Sequence, residues 1–365
     1  MKITTDFPGG NIIVDEIKGN EIYLHQDLRT TQEDWFYWCF EVQCPKKGRY
    51  SFFFTKSRAI GVSGAAVSLD EGATWNWLGA NKNIENGFSY EFTGLEESVR
   101  FSFAMPYQES NLQKFIQQYR DEPMFNHSEL GKTKKRRSID LITIGDLWSN
   151  DVIVLTARSH SCEMMASYVL EGILENILSD QKAYLQNHAF LIVPFLDKDG
   201  VEDGDQGKAR APHDHNRDFG DNSIYPSVIL LKKRLNEIGL DKVIGYIDIH
   251  CLYMSGEGNE HIYFVGSSFD KMALAQQTIG KMIGKEANLP LPFNASGYLP
   301  FGTSWNVGAG VKYQTGSSWA GKILPNVKLA TTIEFPYANA SGTAVTQKSA
   351  KAFGLRFGNV ITKFF

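Results

Sequence analysis

The stretch that decides the fold is Val152-Ile-Val-Leu-Thr-Ala-Arg-Ser-His160-Ser-Cys-Glu163-Met-Met-Ala-Ser-Tyr-Val-Leu-Glu-Gly-Ile-Leu174. An apolar run of strand length ends here in a short polar loop, and apolar residues at helical spacing follow at once. This predicts a strand over 152–156 and a helix over 164–178. The loop between them offers an imidazole, His160, and a carboxylate, Glu163, where the helix begins.

Strands and helices alternate around this stretch, from about residue 138 to residue 363. The pattern predicts strands over 139–144, 189–195, 243–249, 261–265 and 329–335, and helices over 228–238, 269–287 and 345–363. Near-continuous apolar strands between amphipathic helices are typical of a layered α/β domain with a buried sheet that is largely parallel or mixed.

The first part of the chain has a different rhythm. Short alternating or aromatic runs between turn signals predict strands over 11–14, 21–24, 35–42, 50–54, 66–69, 89–92 and 99–103. This spacing indicates an antiparallel β-sandwich. A helix over 107–120 is expected to link the two parts, which predicts a sandwich domain over 1–110 and a second domain over 111–365.

Composition excludes several classes of protein. The 365 residues carry 37 Lys and Arg against 41 Asp and Glu, a net charge of −4, which disfavours nucleic-acid binding by phosphate neutralisation. The basic run over 132–137 is therefore interpreted as a solvated turn. Four cysteines in no metal-binding or disulfide pattern suit a reducing compartment. Without an apolar run of about 20 residues, we expect a soluble cytoplasmic protein that does not enter membranes.

The His160 and Glu163 pair predicts a metal site. Zinc accepts imidazole nitrogen and carboxylate oxygen, and a catalytic zinc site has three protein ligands and one position for water. Open α/β sheets place their ligands at strand ends, and the apolar run from Ile244 ends at His250. We therefore expect one Zn²⁺ per chain, bound by His160, Glu163 and His250.

These three residues, in this order, resemble the zinc ligands of the zinc metallocarboxypeptidases, and most of the chain is similar to their cytosolic branch, which carries an N-terminal β-sandwich. The segment Phe101-Ser-Phe-Ala-Met-Pro-Tyr-Gln-Glu-Ser-Asn-Leu-Gln113 resembles the junction between that branch's two domains. The resemblance implies a carboxypeptidase-like α/β domain with a mixed central sheet.

The resemblance also implies roles for individual residues. Asn216 and Arg217 would bind the terminal carboxylate of the substrate, a task that suits the planar guanidinium fork. Asp214 would orient His160, and Tyr313 would close over the substrate. Glu334 would be the catalytic general base, and the cost of an ionisable group in the apolar run from Leu329 to Phe335 independently favours a functional role.

The sequence departs from the family pattern in the loop before Asn216. The cytosolic branch has an arginine that would stabilise the oxyanion formed during hydrolysis, and this sequence has Gly207 at the corresponding position. Lys208 or Arg210 could replace that arginine. Lys208, Arg210 or Lys312 would also suit an acidic terminal side chain. Other metal ligands remain open: His213-Asp-His215 could form a separate cluster, and Cys162 and Cys251 could compete as thiolates, although we expect both cysteines to be packing residues.

Together these observations predict a zinc metallopeptidase that hydrolyses a C-terminal amino acid, such as a glutamate, from a peptide or side-chain branch. Its partner would be a peptide or small amide with a free carboxylate. Two alternatives remain: a zinc-dependent deacylase or amidase that acts on a small acyl amino acid, and a non-catalytic binding module with a vestigial metal site.

Overall fold

The computed structural model describes residues 1–148, 150–256, 258–295, 298–307 and 313–365. The strands of the N-terminal region are β1 (Lys2–Thr4), β2 (Ile13–Lys18), β3 (Glu21–His25), β4 (Cys39–Gln43), β5 (Gly48–Phe54), β6 (Ala66–Ser68), β7 (Asn76–Trp77), β8 (Asn83–Ile84), β9 (Gly87–Phe92) and β10 (Ser98–Ser102). They form two five-stranded sheets with the orders β1-β4-β10-β6-β7 and β2-β3-β5-β9-β8.

Aromatic side chains fill the space between these two sheets. The ring centroids of Phe40 on β4 and Phe52 on β5 lie 5.5 Å apart, and those of Phe88 on β9 and Phe101 on β10 lie 5.2 Å apart. All four side chains are fully buried, and such aromatic pairs stabilise a core beyond the area that they bury. The sheets therefore pack face to face, and the predicted N-terminal antiparallel sheet region is confirmed.

Two details differ from the predictions. β3 and β5 pair in parallel, because the intervening chain crosses to the other sheet, forms β4 and returns. The strand predicted over 35–42 begins only at Cys39. Tyr37 instead exchanges hydrogen bonds with Gln206 of the C-terminal region, at 2.6 and 2.8 Å, so a tertiary contact replaces strand pairing there.

The rest of the chain alternates between helices and strands. Its elements are α1 (Glu109–Tyr119), β11 (Phe125–Lys132), β12 (Ser138–Ile144), β13 (Asp151–Ala157), α2 (Met165–Asp180), β14 (His188–Val193), α3 (Lys198–Asp203), α4 (Pro226–Ile238), β15 (Val243–Cys251), β16 (Tyr263–Val265), α5 (Asp270–Gly284), β17 (Tyr298–Leu299), α6 (Gly316–Ile323), β18 (Leu329–Phe335), β19 (Asn339–Ala340), β20 (Thr343–Ala344) and α7 (Gln347–Phe364).

Eight of these strands form one central sheet within the described ranges, in the order β11-β12-β14-β13-β15-β18-β16-β17. β13 pairs in parallel with β14 and β15, and β15 with β18. β12 is antiparallel to β11 and β14, and β16 is antiparallel to β18. The predicted mixed central sheet is confirmed. The carboxyl ends of β13, β15 and β18 consequently lie side by side.

Burial on both faces explains why the central strands are so apolar. Every residue of β15 is buried. Its Ile247 and Ile249 join the core with α2 and α7, whereas Tyr246 joins the core with α4 and α6. Successive residues of a strand point to opposite faces, so β15 contributes side chains to both cores. This packing on both faces supports the strand end that carries His250.

Helices α2 and α7 cross in very close contact at two glycines. A Cβ atom at Gly172 would lie 1.9 Å from the Lys351 carbonyl oxygen, and one at Gly354 would lie 2.0 Å from the Val169 carbonyl oxygen. Only glycine allows backbones to approach this closely. The two positions fix the helix pair behind the central sheet.

The basic run is not simply a solvated turn. Gly131 and Lys132 lie in β11, which pairs with β12 as a hairpin. Beyond it, Arg137 forms ion pairs with Asp199 at 3.0 Å and Asp203 at 2.7 Å. The run is thus tied to α3 by acidic partners that are distant in the sequence.

An aromatic cluster joins the two regions of the chain. Phe36 contacts Tyr253 and Tyr337, with ring centroids 5.0 and 5.6 Å apart, and Phe103 lies 4.9 Å from Tyr337. The hydrophobic core is continuous through this cluster. The boundary at residue 110 stays a prediction. Among the described residues, no helix combines the length and apolar character that a membrane crossing requires.

Candidate metal centre and active site

The loop between β13 and α2 places His160 and Glu163 at the carboxyl edge of the sheet. Arg158, fully buried and in the left-handed region with φ 57°, shapes this loop. Its guanidinium donates to the Ser161 carbonyl oxygen at 3.0 Å and to the Tyr107 carbonyl oxygen at 2.9 Å. A buried cation that satisfies backbone carbonyls in this way holds the loop in one conformation.

His160, Glu163 and His250 converge on one point. One ligand atom from each lies within 4.8 Å of the other two, and all three side chains are buried. Nδ1 of His160 is 2.8 Å from one Glu163 oxygen, and Nδ1 of His250 is 2.8 Å from the other. Two imidazole nitrogens and a carboxylate fit the donor preference of zinc. This group could therefore hold a metal ion.

Charge around Glu163 keeps its carboxylate ionised, as metal binding requires. Burial alone would raise the pKa of Glu163. The positive charges of Lys208, His160 and His250 outweigh burial and hold that pKa well below its usual value.

Each histidine has a carboxylate beside its other ring nitrogen. Asp214 lies 3.6 Å from Nε2 of His160, and Asp248 lies 2.8 Å from Nε2 of His250. Burial disfavours an ionised Asp214, but the charges of His160 and Arg217 lower its pKa below the usual range. Such carboxylates fix the tautomer and orientation of ligating imidazoles.

Sequence reasoning missed Asp248. The signal was present, because Asp248 and His250 are two residues apart on one strand and so point to the same face of the sheet. Thr156 Oγ1 donates to the Asp248 carboxylate at 2.7 Å, which anchors it from the neighbouring strand β13.

Glu334 lies directly beside His250. The two residues are register partners on the parallel strands β15 and β18. Glu334 is buried, and its Oε2 accepts no hydrogen bond within the described part of the chain. Burial raises the pKa of Glu334 to about 8, although the nearby His250 charge opposes this rise. A raised pKa on a buried carboxylate beside a candidate metal site is typical of a proton acceptor in catalysis.

A cavity of about 590 Å³ opens beside Glu334, and Asn216, Arg217 and Tyr313 line it. Arg217 is 3.4 Å from Asp214, and its side chain is 41% exposed. The Asn216 Oδ1 atom is buried without a hydrogen-bond partner among the described residues. The Tyr313 hydroxyl lies 3.4 Å from the Pro212 carbonyl oxygen. The predicted carboxylate-binding pair, the tyrosine and Glu334 thus share one cavity.

The two candidate cations of the preceding loop have different surroundings. The Lys208 ammonium is 2.8 Å from Glu163, beside the candidate metal site. Arg210 is instead ion-paired with Asp197 at 2.8 Å and Asp205 at 2.7 Å. Among the two, only Lys208 is therefore placed to act at the metal centre. Lys312, the third cation considered for an acidic substrate, lies outside the described residues.

The alternative metal ligands are engaged elsewhere. His213 pairs with Asp218 at 2.6 Å, and His215 stacks on Tyr225 with ring centroids 3.6 Å apart. Cys162 and Cys251 are buried, and burial raises the pKa of Cys162 to about 11, so it stays a thiol. Within the described ranges, His160, Glu163 and His250 are the group arranged to hold a metal.

Several known proteins to which this chain is similar are carboxypeptidases. The family model described as zinc carboxypeptidase matches residues 109–230. Cytosolic carboxypeptidase 6 of Caenorhabditis elegans is 28% identical over 282 residues, which cover 67% of this chain and 61% of the worm protein. The human protein of that name is 25% identical over 308 residues, covering 78% of this chain and 58% of its own length. The chain thus spans about three fifths of these relatives.

Solved structures share the fold along the whole chain. A metallo-carboxypeptidase from Burkholderia cenocepacia superimposes with a TM-score of 0.78 and 18% identity, covering 100% of this chain and 98% of that chain. At this identity the likeness establishes the carboxypeptidase-like fold. The family model and the curated relatives add support for a peptidase.

Proposed function

Because this chain carries a zinc carboxypeptidase domain and is homologous to the cytosolic carboxypeptidases, we propose that it is a zinc-dependent carboxypeptidase. It removes the C-terminal amino acid from a peptide or a side-chain branch. One observation carries the proposal: a buried His-Glu-His group lies beside Glu334, at a cavity that also contains Asn216 and Arg217.

His160, Glu163 and His250 would hold one zinc ion per chain. When bound, zinc lowers the pKa of a coordinated water to about 7 and polarises the carbonyl under attack. Asp214 and Asp248 hold the two imidazoles with Nδ1 turned toward the metal position, because each lies beside the opposite ring nitrogen.

Arg217 and Asn216 bind the free carboxylate of the substrate. A guanidinium makes two parallel hydrogen bonds to a carboxylate, and the NH₂ group of Asn216 can donate a further one. The buried Asn216 Oδ1, which has no hydrogen-bond partner among the described residues, can accept from the peptide N–H. The cavity of about 590 Å³ receives the terminal side chain. Anchoring the carboxylate there presents the last peptide bond to the catalytic groups, which explains why only chain ends would be cut.

Glu334 takes a proton from the attacking water and returns it to the leaving amine. Its buried position and raised pKa suit both steps, because a proton acceptor works best with a pKa near the working pH. The Lys208 ammonium supplies positive charge toward the developing oxyanion, and Tyr313 closes over the bound substrate. Since the relatives are named cytosolic, the proposed location is the cytoplasm.

Metal content and hydrolysis test the proposal together. Mass spectrometry should find about one zinc per chain, the stoichiometry of a single three-ligand site. Zinc-loaded protein should release terminal amino acids from a panel of short peptides. The variant Glu334→Gln should keep the zinc and lose about 10²- to 10⁴-fold in kcat, as expected for removal of a general base, whereas His160→Ala should lose both zinc and activity.

Other outcomes would identify the alternatives. Turnover of N-acyl amino acids without turnover of peptides would indicate a deacylase instead. Absence of metal-dependent turnover on every amide tested would contradict an enzymatic function and favour a binding module.

A further inference from the structure

The N-terminal sheet region reaches directly into the loop that carries Lys208. Arg29 forms an ion pair with Asp205 at 2.8 Å. The Thr31 hydroxyl donates to the Lys208 carbonyl oxygen at 2.9 Å, and the Gln32 N–H donates to the Ala209 carbonyl oxygen at 3.0 Å. These three contacts, one of which is the backbone hydrogen bond between Gln32 and Ala209, tie residues 29–32 to residues 205–209.

The residues just before this loop, at the end of α3, are held from a second position in the N-terminal region. The Asn11 amide donates to the Gly204 carbonyl oxygen at 2.7 Å, and the Gly9 N–H donates to the Glu202 carbonyl oxygen at 2.9 Å. A Cβ atom on Gly204 would lie 2.6 Å from the Gly9 carbonyl oxygen. The two backbones are therefore in direct contact at Gly204, where a residue with a side chain would not fit.

Trp35 continues this contact to the catalytic centre. The Lys208 ammonium lies 5.1 Å from the centroid of the Trp35 ring, within the range at which a cation is attracted to an indole face. Trp35 is itself fixed, stacking on Phe36 at 5.1 Å and packing edge-on against Tyr253 at 5.5 Å. The ammonium thus lies between the Trp35 ring and the Glu163 carboxylate, which is 2.8 Å away.

We propose that the N-terminal region is a structural part of the active site, and that Trp35 is a positioning residue that holds the Lys208 ammonium beside the metal ligands. This inference rests on the proposed function for its kinetic consequence. Its structural content, the confinement of Lys208 by Trp35, can be measured without any turnover.

Amine acylation measures that confinement directly. The zinc-loaded protein and its Trp35→Leu variant are treated with acetic anhydride, and mass spectrometry compares Lys208 with Lys233, whose side chain is 70% exposed. Lys208, which is 20% exposed, should react slowly in the parent protein and about fivefold faster in Trp35→Leu, since the Trp35 ring is lost. Trp35→Phe, which keeps a ring, should restore protection, and the control Trp77→Leu should change nothing.

Kinetics of a double-mutant cycle supply the second readout. Trp35→Leu should lower kcat about tenfold and leave KM within about twofold of the parent value, because the terminal carboxylate is bound elsewhere. Trp35→Leu added to Lys208→Met should lower kcat no further than Lys208→Met alone, because two residues that act through one another are not additive.

Unchanged acylation of Lys208 in Trp35→Leu would overturn the inference whether or not the protein hydrolyses any substrate. Independent, multiplicative effects on kcat in an active enzyme would also overturn it while leaving the proposed function intact. Absence of hydrolysis in the parent protein, with Lys208 protected by Trp35, would contradict the proposed function alone and uphold the positioning of Lys208.

Discussion

Replacement of Asp248 by asparagine should weaken metal binding without unfolding the protein. Asp248 is fully buried, and it accepts a hydrogen bond from Nε2 of His250 at 2.8 Å. Asparagine has nearly the same volume and can still accept that bond, but its amide carries no charge. The NH₂ group of the asparagine can donate to Thr156 Oγ1, because the Thr156 hydroxyl can turn and donate to the Tyr246 hydroxyl, 3.2 Å away.

The expected magnitude follows from the role of such carboxylates. Loss of the charged partner behind a ligating imidazole raises the metal Kd about 10- to 100-fold, which corresponds to about 1.4 to 2.7 kcal/mol of binding free energy. Competition against a chelating dye of known zinc affinity would measure the Kd of the parent protein and of Asp248→Asn. Thermal unfolding of both would establish that the variant is folded.

Asp140→Asn is the matched control. Asp140 is another buried aspartate paired with a histidine, His127, at 2.9 Å, but this pair lies on the β11–β12 hairpin. The zinc Kd of Asp140→Asn should stay within about twofold of the parent value. The free energy of unfolding of this variant should fall, because Lys198 loses an ionic partner. An unchanged zinc Kd in folded Asp248→Asn, or an equal loss in the control, would refute the reasoning.

Three further predictions concern stability, pH and specificity. Gly354→Ala should lower the free energy of unfolding in urea by about 1 to 3 kcal/mol, because its Cβ meets the Val169 carbonyl oxygen; an unchanged value would contradict the close α2–α7 contact. Burial, opposed by Asp197, lowers the pKa of His215 to about 4, so the unfolded chain binds the proton more readily between pH 6.5 and 4. The free energy of unfolding should therefore be about 2 kcal/mol smaller at pH 5 than at pH 7, and a pH slope that persists in His215→Phe would assign the effect to other groups. Ser317 lines the cavity and bonds Thr332 at 2.9 Å, so Ser317→Arg should raise kcat/KM for peptides ending in Glu relative to Gln by about tenfold, through a new charged contact; no change in that ratio would place the terminal side chain elsewhere.

Local pattern was sufficient to predict six strands of the central sheet, namely β12, β13, β14, β15, β16 and β18. The apolar runs 152–156 and 329–335 lie in β13 and β18. These strands are buried on both faces, so most of their residues are apolar and the sequence pattern is easy to recognise. β11 was missed, since most of its residues are exposed and polar, as suits an edge strand that has only one neighbour.

The candidate site was predictable where its residues lie at strand ends. His160, Glu163 and His250 follow apolar strands, and the structure brings them together. The contacts that depend on distant segments were not predictable. Trp35 was assigned to a strand, yet it packs against Lys208, and no periodicity within either segment reports a contact between residues so far apart in the chain.

The aromatic cluster of Phe36, Phe103 and Tyr337 makes the C-terminal region depend on the N-terminal region for its stability. A fragment that starts at residue 111 would remove Phe36 and Phe103 from the ring of Tyr337 and expose an apolar surface on the C-terminal region, and exposed apolar patches promote aggregation. The two halves should therefore melt in a single calorimetric transition, and proteases should find no cleavable hinge between them.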